Sequence, residues 1–488
     1  MATMKHVIQM KHLRFVLFAS LLCASGGVAE QGLANSAGEI RDEVRIVLVP
    51  LSDTQRVFER NERGGYARYS AVVEDERAGG DAVVVVHSGN AYSPSLFTTV
   101  DSGAHATDML NRLSVGVFSP AHHDFDFGQS VALRRFAEAR FPVVMSNVTR
   151  PDGSAFGSTA RRHVMEISGY RLGFMGLVPR ETATISFPVA LQIADPVATA
   201  QAVAAELRGD GADVVIALTD LDLAEVGKVR AAGVDIVLAA QGPTESPSLW
   251  LDLGARGLIA RSADGGDFLS VVDPHLYRVA QEVMALPEAP ATDDEAAEID
   301  PDKFFETATE TLAVGWRADV RVRDTGRIEP DRFADTVIAQ YYAQFSRQLN
   351  EPLATVATTF DTDRTSLRGG ANGYGAFVTD SMRAASGADI ALINAGAIRG
   401  DQAFAAGDGF RIRDLLASLP FRNRIIVLRL TGQQVLSMLE YGFAAANIGS
   451  ARFPQFSGMK VRFDPAGATG KRICTVTIGG RPLDTNAT

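Results

Sequence analysis

Residues 81–90, DAVVVVHSGN, and residues 115–128, VGVFSPAHHDFDFG, decide how this chain is read. Each opens with a short aliphatic run, too short for a helix and too continuous for a half-exposed strand, so each predicts a central strand buried on both faces. Each then breaks into polar residues and turn formers. Three more segments repeat the pattern: Arg45 to Leu51 followed by Ser52-Asp53-Thr54-Gln55, Asp213 to Leu218 followed by Thr219-Asp220, and Asp235 to Ala239 followed by Ala240-Gln241-Gly242-Pro243. Amphipathic stretches lie between them, as in an α/β domain. In open α/β sheets ligands gather at the carboxyl ends of the strands, where side chains leave a rigid sheet and converge on a crevice. Carboxylates, imidazoles and amides at successive strand ends suit a metal or phosphate site, although Asp, Asn, Gly and Pro are also ordinary turn residues. The stretch from Pro120 to Gly128 is the most concentrated, with His122 and His123 flanked by Asp124 and Asp126. There a carboxylate can orient an imidazole as a general acid while another group holds a cation.

The rest of the sequence narrows the partners. The chain has 488 residues with 46% hydrophobic and 22% charged, the balance of a water-soluble body of more than one domain. Its net charge of −11, with no strong basic cluster, speaks against a nucleic-acid partner. Residues 1–29 carry Lys5, Lys11 and Arg14, an apolar run from Phe15 to Leu22 and a small-residue ending at Gly27-Val28-Ala29, the order of a secretory leader. The expectation is a periplasmic or secreted protein, not held in a membrane after leader removal. Of two cysteines, Cys23 falls in the leader, so Cys474 has no internal partner. The acidic stretch PEAPATDDEAAEIDPDK (287–303) reads as a linker, with helical periodicity from Phe304 to about Asn350. A second α/β region follows, with strands expected at Ile390 to Ile393, Arg424 to Leu430, Met459 to Phe463 and Thr475 to Ile478.

The order GGYARYSAVVEDER (64–77), HSGNAYSPSL (87–96), PAHHDFDFG (120–128), VVMSNV (143–148), GYRLGFMGLV (169–178), GADVVIALTDL (211–221) and VDIVLAA (234–240) resembles the calcineurin-like metallophosphatase domain of the 5′-nucleotidase family. The stretches GADIALINAGAIRG (387–400), LPFRNRIIVLRLTG (419–432) and FPQFSGMKVRFD (453–464) resemble that family's C-terminal domain. The resemblance implies two α/β domains: a four-layer αββα metallophosphatase-like sandwich over 42–286 and a 5′-nucleotidase-type domain over 351–488, with an acidic linker and bridging helices over 287–350.

It also implies a two-cation phosphoesterase centre, in which each cation neutralises charge during in-line displacement. Carried over residue by residue, the ligand set falls on Asp53, Asn90, His122, Asp220 and Gln241. The bridging aspartate of the family has become Asn90, an imidazole has become Gln55, and the closing Gly-His-x-His has become Ala240-Gln241-Gly242-Pro243. The family's catalytic histidine corresponds to His123, with Asp126 as its orienting partner. What remains suits one hard divalent cation (Mn, Mg, Ca or Zn) or none. In the second half, the resemblance assigns phosphate contacts to Arg399 and Arg368, a ribose or base contact to Asn394, and base stacking to Phe421. The second stacking phenylalanine of the family would lie past Thr488, which leaves Phe453 or Phe456 as substitutes. The expected function is an exported, degenerate 5′-nucleotidase homologue with weak or lost hydrolysis that binds a small anion such as a nucleotide, or a nucleoside. The alternatives are an active one-metal phosphoesterase and a non-catalytic periplasmic interaction protein.

Overall fold

A computed structural model describes residues 40–486, except 60, 187–190, 241–256, 263, 285–307, 422 and 445–448. The segment 1–29, expected to be a leader, and Gln241 therefore lie outside the described residues. The five aliphatic runs are strands, as their composition requires. Ile40–Leu51, Ala82–His87 and Val115–Phe118 pair in parallel in one sheet, while Val214–Thr219 and Ile236–Ala239 pair in parallel in a second, flanked by Leu258–Arg261 and Tyr170–Leu177.

Strand alternation builds the layers, because successive side chains point to opposite faces. Ile46, Leu48, Val84, Val86 and Val117 meet Leu172, Phe174, Ile216, Leu218, Ile236 and Leu238 in one core between the sheets. Val47, Val49, Leu51 and Val85 face the other way, onto helices Tyr66–Ala78, Ala104–Arg112 and Arg332–Leu349. The second sheet is covered by Pro196–Gly209 and Leu223–Ala231 through Val215, Ala217, Val237 and their neighbours. The result is the expected αββα sandwich. A second α/β domain follows, with its own core from Val356 to Val476 built on the helices Gly373–Ser386 and Gly432–Phe443 and the antiparallel pair Ala391–Asn394 and Pro454–Ser457. Among the described residues no helix is long and apolar enough to cross a membrane.

Two expectations are corrected. Helical periodicity was read from Phe304 to Asn350, but Ala308–Asp324 is a strand that pairs with Phe268–Met284 along its whole length and closes the edge of the first sheet. The helix begins only at Arg332, capped by the Asp331 carboxylate. The reason is electrostatic as much as apolar: alternate positions Arg321 and Arg323 reach back over the sheet to buried acids. Arg321 Nε donates to Asp273 at 2.6 Å and its Nη2 to Glu76 at 2.8 Å, while Arg45 Nη2 reaches Asp273 at 3.2 Å. Arg323 bonds Glu76 and Asp75. The second correction concerns Arg424 to Leu430, which has a strand's composition but pairs with no strand among the described residues. Ile425, Ile426, Val427 and Leu428 are 47%, 72%, 62% and 68% exposed. A ladder needs a neighbour, and β-branched composition alone does not supply one.

Arg321→Met would leave the carboxylates of Glu76 and Asp273, both under 9% exposed, facing one another without their shared cation. Because the Arg321 side chain is 37% exposed, the expected loss lies below that of a fully buried pair, at about 1–3 kcal/mol. Urea unfolding at neutral pH measures it.

Candidate functional site

The parallel strands of the two sheets deliver their carboxyl ends to one place. In the first sheet Leu51 pairs with His87 and His87 with Phe118, so the loops that follow begin side by side. Main-chain bonds then stitch them: Asp53 N–H to Gly89 O at 3.0 Å, Ser88 N–H to Leu51 O at 2.9 Å, and Ser119 N–H to His87 O at 2.8 Å. Ser88 Oγ donates to Leu238 O at 2.8 Å and so ties this sheet to the second, whose strand Val214–Thr219 runs directly into Asp220. Gly89, at φ +96°, is forced by close approach: a Cβ there would lie 2.3 Å from Ala121 Cβ and 2.5 Å from its nitrogen.

Four of the five residues assigned to metal binding meet at this junction. Asn90 Nδ2 donates to Asp53 Oδ1 at 2.9 Å and lies 3.5 Å from Asp220 Oδ2, while its Oδ1 accepts the main-chain N–H of His123 at 3.1 Å. His122 Nδ1 is 2.6 Å from the same Asp220 oxygen. Asp53, Asn90 and Asp220 are all buried, and Asp220 Oδ1 has no hydrogen-bond partner among the described residues. Burial by itself lowers the His122 pKa, but the hydrogen bond to Asp220 and the fields of Asp220, Asp126 and Asp53 raise it overall.

This donor set does not fit two cations. The bridging position carries a neutral amide whose N–H groups point at the carboxylates, and the one imidazole is bonded to an acid. Among the described residues there is no cluster of three or more His, Cys, Asp or Glu arranged to hold a metal. His87, at the end of its strand, is occupied elsewhere: its Nδ1 accepts Gly89 N–H at 3.0 Å, which leaves Nε2–H to donate to Thr54 Oγ1 at 2.8 Å.

The two residues expected to form an acid–base pair lie together. His123 Nδ1 lies 2.7 Å from Asp126 Oδ2, the arrangement that fixes an imidazole's tautomer and orientation. Its ring lies 4.1 Å, centroid to centroid, from that of His122 and 5.7 Å from Phe421 of the second domain, at an interplanar angle of 24°. Phe421 also receives the Arg399 guanidinium, 5.1 Å from its ring centre. Burial, then the neighbouring guanidiniums of Arg364 and Arg368, push Arg399 down to about 10. The Arg368 pKa is lowered by burial and by Arg364. A cavity of about 770 Å³ opens beside this junction, lined by Asp126, Phe127, Gln129, Leu133, Phe421 and Arg424. Asn394 ends its strand with Nδ2 on Ala451 O at 3.2 Å. Phe453 and Phe456 do not substitute for a second stacking ring, since both pack against Phe443 in the core of the second domain.

One organising residue was missed. Asp124 accepts main-chain N–H groups from Asn90, Ala91, Tyr92 and Ala121 at 2.9, 2.7, 3.0 and 2.8 Å. It holds the loop of Asn90 to the loop of the two histidines. The cue was its place as a buried carboxylate between two turns, which the pairing of His123 with Asp126 obscured.

Residues 352–488 match the family model described as 5′-nucleotidase, C-terminal domain. The chain is 24% identical over 457 residues to the trifunctional nucleotide phosphoesterase protein YfkN of Bacillus subtilis, an alignment covering 84% of this chain and 29% of that protein. It is 22% identical over 452 residues to protein 5NUC of Lutzomyia longipalpis, covering 85% and 74%. The fold matches that of a 5′-nucleotidase precursor from Thermus thermophilus with a TM-score of 0.69, 21% identity, and coverage of 91% of this chain and 88% of that one. The C-terminal part thus matches the 5′-nucleotidase C-terminal domain, the fold is that of the 5′-nucleotidase precursor, and the described residues hold no clear metal-binding cluster.

Asp124→Ala would strand four main-chain donors, with an expected loss of at least ~3 kcal/mol, and Asp124→Asn a smaller one, both read by urea unfolding. The two site histidines act on stability with opposite signs. Burial pushes His87 down to about 3, so stability falls as pH drops below its ordinary value near 6.5, and continues to fall toward 3. His122 is raised, so its contribution is complete below about 6.5 and fades as pH rises past that value. Urea midpoints measured between pH 4 and 6 should therefore fall less steeply for His87→Gln than for the unaltered protein. His122→Gln should cost more at pH 6 than at pH 9.

Proposed function

We propose that this chain is an extracytoplasmic 5′-nucleotidase-family homologue whose phosphoester hydrolysis is weak or lost and whose interdomain cleft binds a small anion, of which a nucleotide is the leading example and a nucleoside the uncharged variant. One observation carries the reading. The groups that would hold two cations are bonded to one another around Asn90, while Arg399, with Arg368 and Arg364 near it, lies against Phe421, which stacks on His123. Arg364 has Asp401 as an ion-pair partner at 3.2 Å. Arg399, buried beside two other guanidiniums, gains most from an incoming phosphate or carboxylate, which guanidinium binds bidentately. The adjoining cavity lies within the size range of small-molecule sites. An extracytoplasmic location accords with the leader read at residues 1–29 and with the match to a 5′-nucleotidase precursor.

A second reading, residual one-cation hydrolysis with Asp53, His122 and Asp220 as ligands and His123 as acid, is supported by one feature. The His123–Asp126 pair is retained at 2.7 Å. Protein prepared with Mn²⁺ and assayed on AMP and an aryl phosphate separates the two. Activity that disappears in both His123→Ala and Asp53→Ala would overturn the first reading.

For binding, calorimetric titration with AMP and adenosine is the direct measurement. Arg399→Ala is expected to weaken AMP by ~1.5–3 kcal/mol, the worth of a charged hydrogen bond, while leaving adenosine nearly unchanged. Absence of binding by both compounds would favour a protein-interaction role.

A further inference from the structure

We propose that the Asn90 amide does between Asp53 and Asp220 what a cation would otherwise do, so that the junction of the two sheets is stable without metal. This rests on the reading that the hydrolytic centre is lost, but it makes a separate claim about what holds the loops together.

The orientation of the Asn90 amide is set by its surroundings. The main-chain N–H of His123 can only donate, so the atom 3.1 Å away must be the carbonyl oxygen. The NH₂ group is thereby turned toward Asp53, at 2.9 Å, and toward Asp220, at 3.5 Å. Its NH₂ group thus lies between two acids from different sheets, which would otherwise need a cation to offset their charge. Asn90 is 1% exposed, Asp53 6% and Asp220 3%, so water does little to screen the acids from each other. The main chain of Asn90 is held independently by its own N–H to Asp124 at 2.9 Å, so the amide is presented by a fixed loop.

Neutrality at this position is what makes the arrangement work. An aspartate would place a third carboxylate where the amide now donates, with an oxygen about 3 Å from Asp53 Oδ1 and with no proton to share. Such a cluster of like charges either takes up a proton or recruits a cation. Position 90 therefore acts as the switch between a metal-free and a metal-requiring junction. The residue is a positioning residue: through its oxygen it also holds the main chain of His123.

The test uses the full chain without its leader and needs no turnover. Thermal unfolding is recorded after chelation and again with millimolar Mn²⁺, with Mn²⁺ binding measured by calorimetry. For the unaltered protein the two melting curves should coincide and no stoichiometric Mn²⁺ binding should appear. Asn90→Asp should melt lower in chelator than the unaltered protein and recover by several degrees with Mn²⁺, binding at least one equivalent. Asn90→Ala, which removes the donors without adding charge, should melt lower in both conditions and show no recovery. If Asn90→Asp folds only when produced with Mn²⁺, that too supports the proposal. One equivalent of Mn²⁺ bound by the unaltered protein with a rise in its melting temperature overturns it, as does an Asn90→Asp protein indifferent to metal. Should the unaltered protein bind Mn²⁺ yet fail to hydrolyse AMP, only this proposal falls; should it bind Mn²⁺ and hydrolyse AMP, the functional reading falls with it.

Discussion

Two buried carboxylates, Asp53 and Asp220, leave different sheets and come together over the same amide, and much of the site's local structure serves to hold them there. Like charges in a dry junction repel strongly unless opposite charge or hydrogen-bond donors intervene. Here the intervening groups are the Asn90 amide and the His122 imidazole. The backbone accepts a cost to place them. Asp53 and Asn90 sit at φ 54° and 59°, in the left-handed region that Asp and Asn tolerate better than most side chains. Asp124 offsets part of that cost by collecting four main-chain N–H groups from the two loops. The strand-end geometry is that of the αββα fold, and hydrogen bonds from Asn90 and His122 reach one oxygen of each acid while Asp220 Oδ1 is left without one among the described residues.

How much of this was legible in the sequence depended on whether the controlling signal was local. The five aliphatic runs announced buried strands because burial on both faces leaves a continuous apolar segment, and the two sheets bear that out. The rule that strand ends converge gave a wider shortlist, and the family resemblance picked out Asp53, Asn90, His122 and Asp220 from it. The partnerships within that set were not legible, since Asn90 with Asp53 and His122 with Asp220 are separated by 37 and 98 positions. The strand Ala308–Asp324 was read as helix for a related reason. Its alternation of Arg with short apolar residues has meaning only against Glu76 and Asp273, which lie far away in the chain. Arg424 to Leu430 shows the converse. Its local signal is that of a strand, but pairing is a property of two segments, and the second is not found among the described residues.

The electrostatics of the cleft now differ between its two sides. In a two-metal phosphoesterase the cations draw the phosphoryl group onto the water that attacks it, and the acids beneath are neutralised by the metal. With an amide in place of that charge, the Asp53 and Asp220 side offers a phosphoryl group negative charge, relieved only by His122. Arg399 lies against Phe421, which also stacks on His123, and has Arg368 and Arg364 close to it. In the proposed reading an anionic ligand is therefore drawn toward the arginines and away from the position where displacement would occur. Arginine contacts of that kind hold the ground state and the transition state alike, so they favour binding without favouring reaction. In that proposed reading binding and hydrolysis, which a two-metal arrangement couples through shared cations, become separable. In that reading the His123–Asp126 pair keeps its 2.7 Å geometry without the cations that would bring a scissile group to it.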